Sequence, residues 1–577
     1  MRTPGVLLSV ACLGLLCLGA VTAGRTATAS LPTTFRFTDA TRASGLGSFV
    51  HTSGAADRKD YIFEAKGGGV AALDIDGDGW MDVVFAQGST LERTRRGERP
   101  RAAVYRNRRD GTFEDVTARA GLAHRGWGMG VAVADYDNDG LADVYLTDLG
   151  PDVLYRNNGD GTFSDVTQRA GIDVPGWSAS AAFFDADRDG WLDLYVARYL
   201  EAGPDQLPQE RGGGTCHYLG VPVLCGPRGI PGAADAFYRS RGDSTFEERS
   251  EASGLVDRDR WFGLGVVAGD LDGDGDADVY VGNDATPNLL FVNRGDGRFD
   301  ERGLASGLAL SGDGNEQASM GVDAADYDND GRLDVYATHF ASDYSTLYRN
   351  LGDMQFEDVT ARARVREPEW PLVSWGTRFV DLDHDGWKDV VHVNGHVYPH
   401  LRDAAGAERY EQPALTVYLN NVDGTFRQAL AEPGSDAAKP VVGRGAAFAD
   451  FDNDGDVDVL VACLDSPPLL LRNDQASGVA RHWLMLRTRG GRSNRDGIGA
   501  RISARTGALE QTWEIKRTVG IYSASDPRAH FGLGSATKVD LLRVAWPSGK
   551  VDEFHDVAAD AHYLVDEERG LSLEALR

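Results

Sequence analysis

The chain has 577 residues, 42% of them hydrophobic and 9% aromatic, a length that calls for several domains or a repeat architecture. Its 88 acidic residues outnumber 59 basic ones, for a formal charge of −29. That balance excludes binding along a nucleic-acid phosphate backbone, which needs a basic footprint.

In chain order, residues 1–29 read as an export signal, with Arg2, an apolar run from Val6 to Val21, and small residues for cleavage after Ala23 or Ala29. The run is too short for a membrane span, and no later stretch replaces it. The mature protein is therefore expected to be secreted, periplasmic or at the cell surface, with no membrane span after cleavage.

Residues 30–475 repeat one pattern seven times: DIDGDGWMD, DYDNDGLAD, DADRDGWLD, DLDGDGDAD, DYDNDGRLD, DLDHDGWKD and DFDNDGDVD. Aspartate stands at loop positions one, three, five and nine, and glycine at six. The carboxylates are Asp74, Asp76, Asp78 and Asp82; Asp135, Asp137, Asp139 and Asp143; Asp185, Asp187, Asp189 and Asp193; Asp270, Asp272, Asp274 and Asp278; Asp326, Asp328, Asp330 and Asp334; Asp381, Asp383, Asp385 and Asp389; Asp450, Asp452, Asp454 and Asp458. Four carboxylates within nine residues repel one another unless a cation sits among them. Ca²⁺ takes about six to eight oxygens, and alternate side chains of a tight loop can supply them. About seven Ca²⁺ are expected, and all 28 aspartates are candidate ligands. Mg²⁺ suits so crowded a protein cage less well.

Each loop lies between strand signals. A small-residue run such as GMGVAVA precedes it and a β-branched run such as DVYLTD follows; then come LYRNNGDGTF-like hairpins and a short FxDVT strand. Four strands per repeat make a propeller blade, and seven repeats predict an all-β, seven-bladed β-propeller. The last repeat lacks its FxDVT strand, whereas residues 35–41 hold a spare copy, so the N-terminal strand is expected to close blade seven. Blade three carries an insertion, 200–234, in which Cys216 and Cys225 are expected to form a disulfide; Cys463 reads as a buried thiol. A linker at 476–481, a small β-sandwich or barrel-like domain at 482–566 and a tail at 567–577 complete the chain.

The repeats resemble the FG-GAP/VCBS repeats of integrin α-like propellers. HWLMLRTRGGRSNRDGIGARI, SASDPRAHFGLG and VDLLRVAWPSGKVDEF resemble the ASPIC/UnbV domain. A propeller followed by this domain is the layout of the cartilage acidic protein-like family and its bacterial relatives. CHYLGVPVLCGPRG and the run Asn394-Gly395-His396-Val397 are also similar to that family. The resemblance implies calcium binding and export, and marks this chain as a bacterial member.

The acidic loops and the NGDG turns share one face. The opposite face is expected to carry Trp127, Trp177, Trp261, Trp375, Arg198, Asp284, His339 and His396, either as a ligand surface or, for the tryptophans, as packing between blades. No catalytic residue is assigned. The sequence contains no phosphate loop or nucleophile elbow, and His392, His396 and His400 read as satisfied turn histidines in preference to a catalytic metal site. The expected function is a non-catalytic, calcium-rigidified recognition or adhesion module. Its partner would be an extracellular protein or glycan, not a nucleic acid. The alternative is an enzyme acting from the opposite face, on carbohydrate or in natural-product biosynthesis, as the UnbV resemblance implies.

Overall fold

A computed structural model describes residues 35–577 except 99, 124–125, 202–215, 367–369, 403–407, 431–433, 476–480, 575 and 577. The expected export signal, part of the blade-three insertion and most of the linker lie outside the described residues. The fold is all-β. Among the described residues, seven four-stranded antiparallel sheets follow one another from Val70 to Gln475. Blade two is representative: Trp127–Ala134, Asp143–Leu149, Val153–Asn157 and Phe163–Asp165, with Val133 opposite Val144, Val144 opposite Tyr155, and Tyr155 opposite Asp165. The inner strands touch their neighbours in a closed circle, that of the first sheet (Val70–Leu73) meeting that of the last (Gly443–Ala449). The last sheet takes its fourth strand from the other end of the chain. Phe35–Asp39 pairs antiparallel with Leu469–Gln475, Phe35 opposite Gln475 and Asp39 opposite Leu471.

Inner strands are built from small residues because they converge on the axis. The run Trp127–Ala134, WGMGVAVA, is buried throughout. At Gly130 a Cβ would lie 2.8 Å from Ala179 O and 3.0 Å from the Cα of Tyr522, so no larger residue fits beside what fills the axis.

That filling comes from the C-terminal domain. It stacks a mixed sheet (His482–Arg489, Ala529–Gly534, Ala561–Asp566, Gly570–Leu573) on an antiparallel one (Arg501–Thr506, Leu509–Glu514, Lys538–Ala545, Val551–Ala558). Leu484, Leu486, Ile502, Phe531, Leu542 and Val544 are buried between them. The segment read as a tail contributes the edge strand Gly570–Leu573, so the domain continues past 566; four residues are too short for a period-two pattern to reveal a strand. Between Glu514 and Ala529 the chain leaves this sandwich and enters the propeller. Gly520 and Val322 exchange both backbone hydrogen bonds (2.7 and 3.1 Å), Val131 N–H donates to Tyr522 O (2.8 Å) and Ala72 N–H to Ala524 O (3.0 Å). Ile521 and Tyr522 are each 1% exposed. The propeller axis is thus plugged by residues 515–528.

At the start of the third strand in blade two, Asp152 accepts from Tyr145 Oη (2.8 Å) and Asp148 N–H (2.8 Å). Blade four uses Asn288 at the same place, accepting from Asn283 N–H (2.9 Å) and donating to Tyr280 Oη (2.8 Å). Burial pushes the Asp152 carboxyl up to about 8. The folded protein then holds a proton that the unfolded chain, with an ordinary aspartate, releases near pH 4. This contribution is complete below pH 4 and lost as pH rises toward 8. Asp152→Asn removes the dependence. Its stability relative to the natural protein is expected to climb between pH 5 and 9 by roughly 2 kcal/mol, below the limit of about 1.4 kcal/mol per pH unit because a buried site relaxes. Thermal unfolding across that range checks it; parallel pH curves would refute it.

Candidate metal centres

Each acidic loop folds around its own first carboxylate. Asp135 Oδ1 accepts from Asp139 N–H (3.0 Å) and Oδ2 from Gly140 N–H (2.7 Å). The same pair of bonds recurs at Asp185, Asp326, Asp381 and Asp450. Gly140 sits at φ 91°, a left-handed conformation that a side chain would strain. The ninth carboxylate is a clasp between strands. Asp143 accepts from Tyr136 N–H (3.3 Å) at the loop and from Asn157 N–H (2.7 Å) on the third strand.

The third carboxylate divides its two oxygens. Oδ2 turns outward, to Arg106 at Asp76 (2.5 Å), Arg156 at Asp137 (2.6 Å), Arg349 at Asp328 (2.6 Å) and Arg239 at Asp187. Oδ1 turns inward, and at Asp76, Asp187, Asp328 and Asp452 it is buried with no hydrogen-bond partner. Oxygens of positions one, three and five (Asp74, Asp76, Asp78; Asp270, Asp272, Asp274) or one, three and nine (Asp135, Asp137, Asp143; Asp185, Asp187, Asp193; Asp326, Asp328, Asp334) converge within 4.8 Å of one another. A buried carboxylate oxygen with no donor, facing others of its kind, matches the oxygen set of a hard cation. Without such a charge, burial drives these groups toward the protonated form. Asp135 is pushed up to about 8 and Asp185 to about 7, while Asp82, Asp143, Asp193, Asp278, Asp334, Asp389 and Asp458 rise well above the usual range.

Two features escaped sequence reasoning. The first is an asparagine at or near the end of the third strand. Asn157 Nδ2 donates to Ala142 O in its own blade (3.1 Å) and to Ile75 O in the blade before (3.0 Å). Asn107, Asn293, Asn350, Asn420 and Asn473 make the same link backward, each to the second loop residue of the preceding blade. The recurring YRN, FVN and YLN triplets were the available signal. The second is the cover over the loops. Asp496 accepts from Asp135 N–H (3.0 Å) and Glu514 from Asp270 N–H (3.2 Å). Arg528 donates to Asp450 O (3.0 Å), and Arg481 pairs with Asp383 (2.6 Å). The C-terminal domain therefore rests on the acidic loops themselves.

The opposite end of the axis is not the open aromatic surface that one reading of the sequence expects. Trp127, Trp177 and Trp375 are at most 1% exposed, and His339 and His396 are buried. Phe63 packs edge-on against Trp127 (4.8 Å between centroids) and against Trp177 (6.3 Å). Trp375 donates to Gly395 O (2.8 Å) beneath the Arg444 guanidinium. Asp284 is taken by Lys66 (3.1 Å) and Tyr199 Oη (2.5 Å), and Arg198 by Ala234 O (3.0 Å) and Pro175 O (2.5 Å). Trp261 is half-buried against the cluster around Phe237. These side chains, brought together by the converging inner strands, find partners in one another. Cys216 and Cys225 form a disulfide, and the hairpin it closes lays Tyr218 over His396 (5.5 Å) with its hydroxyl on Glu408 (2.7 Å). Glu408 also lies 3.5 Å from His396 Nε2, an acidic neighbour that sequence spacing hid.

Comparison with known proteins agrees with this architecture. A model of the FG-GAP-like repeat matches residues 74–146, 135–196, 224–281, 270–337, 326–392 and 402–461, and one of ASPIC and UnbV matches 490–572. Cartilage acidic protein 1 of Homo sapiens is 27% identical over 299 residues, 50% of this chain and 41% of that protein. The Xenopus tropicalis protein of the same name is 27% identical over 304 residues, 50% of this chain and 42% of its own. The chain thus spans less than half the length of these curated relatives. Similar solved structures include an Agrocybe aegerita lectin that recognises terminal N-acetylglucosamine (18% identity, TM-score 0.37, 68% of this chain and 88% of that one). A Bacillus licheniformis rhamnogalacturonan lyase is another (13%, TM-score 0.35, 76% of each chain). With FG-GAP-like repeats across most of its length and an ASPIC and UnbV domain after them, the chain belongs to the FG-GAP repeat family and is homologous to cartilage acidic protein 1.

Proposed function

We propose that the protein is an exported, calcium-loaded recognition or adhesion module without catalytic activity, its partner an extracellular protein or glycan. The observation that carries the calcium reading is the set of unpartnered Oδ1 atoms at Asp76, Asp187 and Asp328, each in a group of three converging carboxylates. Export is supported by the apolar, signal-like residues 1–29 and by the Cys216–Cys225 disulfide, which persists in oxidising compartments. No helix among the described residues is long and apolar enough to cross a membrane. The non-catalytic reading is supported by an axis filled by Tyr522 and Phe63, where a central active site would need room.

Metal analysis of the mature protein after dialysis should return about seven calcium ions per chain, the stoichiometry of one hard cation per loop. Glycan and protein arrays probed with and without chelator, and the bound ligands then incubated for turnover, test the rest. Calcium-dependent binding without product is expected. Product formation from a bound glycan would refute the non-catalytic reading, and a calcium content near zero would refute the metal.

A further inference from the structure

The arginines beside the acidic loops share one address. Arg106, Arg156, Arg239 and Arg349 each stand at the middle of the YRN or YRS triplet in the third strand of their blade, immediately before Asn107, Asn157, Ser240 and Asn350. Blades four and six place Val292 and Leu419 there. In blade seven Arg472 turns instead to Asp474 (2.9 Å). The guanidinium in blades one, two, three and five meets the outer oxygen of the third loop carboxylate; in blades one, three and five the other oxygen of that carboxylate is the inward, unpartnered one. Arg156 and Arg349 reach the fifth carboxylate as well, Asp139 at 2.5 Å and Asp330 at 3.2 Å.

We propose that Arg106, Arg156, Arg239 and Arg349 are positioning residues for bound cations, each holding Oδ2 of the third loop aspartate so that Oδ1 faces the ion. The inference rests on the calcium reading and deepens it, because it divides the seven loops into classes. A free carboxylate in a tight loop can rotate, or offer both oxygens. A guanidinium on one oxygen fixes the carboxylate plane and leaves the other oxygen as the one free to face the ion. Two effects oppose each other. The positive charge near the ion weakens its attraction, whereas fixing the ligand removes the cost of ordering it. The arginines are about one-third or more exposed, at 36% for Arg106, 35% for Arg156, 42% for Arg239 and 33% for Arg349, so solvent screens their charge while the hydrogen bond keeps its geometry. Orientation therefore prevails, and losing the arginine lowers cation affinity.

The test resolves each loop separately. Crystals of the whole protein are stripped of calcium, soaked in limiting terbium, and the anomalous occupancy of every loop is measured. Arg349→Leu, which copies the residue natural to blade six, should cut terbium occupancy of the fifth loop about tenfold, the scale for losing an outer-shell partner, with the other loops unchanged. Arg156→Leu should do the same to the second loop alone. Arg349→Lys should recover only part of the loss, since an ammonium keeps the charge but not the fork. Unchanged or increased occupancy in the fifth loop of Arg349→Leu, or full recovery with lysine, overturns the positioning role and leaves calcium binding standing. A natural protein with no terbium in any loop overturns both.

Discussion

Chelation is expected to lower the melting temperature of the mature protein by more than about 10 °C, and added calcium to restore it. An ion that binds only the folded state stabilises it by RT ln(1 + [L]/Kd), about 2.7 kcal/mol for one site at a hundredfold excess over Kd. Seven loops share the effect, and each has a buried ninth carboxylate that both clasps its blade and is driven toward protonation when no cation is near. Blades communicate through these loops, since the Asn157 class of side chain bonds to the second loop residue next door. A loosened loop therefore frees its neighbour, and the loss should be cooperative, with one broad shift in place of seven small ones. Magnesium at equal concentration should restore less, because it holds its waters and demands near-octahedral geometry. Melting curves in calcium, in magnesium and after chelation decide the matter. Superimposable curves would mean the loops stand without cations.

Ending the chain at Gln475 should abolish soluble, folded propeller. The sequence makes the C-terminal domain look separable, but residues 515–528 serve the propeller as its core. Without them Val131 N–H, Ala72 N–H and both backbone groups of Val322 lose their partners at the axis, and Ala181 O loses Thr518 Oγ1 (3.0 Å). An unmade buried hydrogen bond costs about 1–3 kcal/mol, so four or five of them exceed much of the 5–15 kcal/mol that holds a typical domain together. The side chains of Ile521 and Tyr522 leave a void among Trp127, Trp177 and Trp375 as well. The whole-chain variant Tyr522→Ala isolates this last term; a loss of roughly 3–5 kcal/mol is expected by denaturant unfolding, the range for removing a large buried aromatic. A truncated chain that purifies as a monomer with native-like hydrogen-exchange protection in its inner strands would show that the plug is dispensable.

How far the sequence reaches follows from the range of each interaction. The nine-residue loop is local: within it the carboxylates bond to N–H groups two to seven residues away, as Asp78 does to Trp80 (2.9 Å) and Asp82 to Ile75 (2.9 Å), so spacing alone exposed it. Strand alternation and the spare FTDAT run carried the sheet order for the same reason. Local sequence does not decide between a ligand surface and packing for these tryptophans, because burial at the axis depends on what enters it, and Tyr522 lies hundreds of residues from Trp127 and Trp177. The run GIYSAS carries nothing that distinguishes a threaded segment from an ordinary loop. Arginine pairing was invisible as well. YRN reads as plain strand until the loop above it is placed, and only then does Arg156 lie within reach of Asp137.

The pairing that closes the ring has a consequence in time. Thr38 meets Asp474 at a separation of 436 residues, and a ribosome adding about 5–20 residues per second needs roughly 20–90 s to cover that distance. For that interval Phe35–Asp39 is a finished strand with nowhere to go, and the last sheet, when it emerges, lacks one edge until that strand arrives. An unpaired edge invites strands from other chains. A nascent chain of this design is most vulnerable to association with its neighbours just before completion, and whatever keeps it from premature pairing during that wait matters as much to its yield as any contact in the finished molecule.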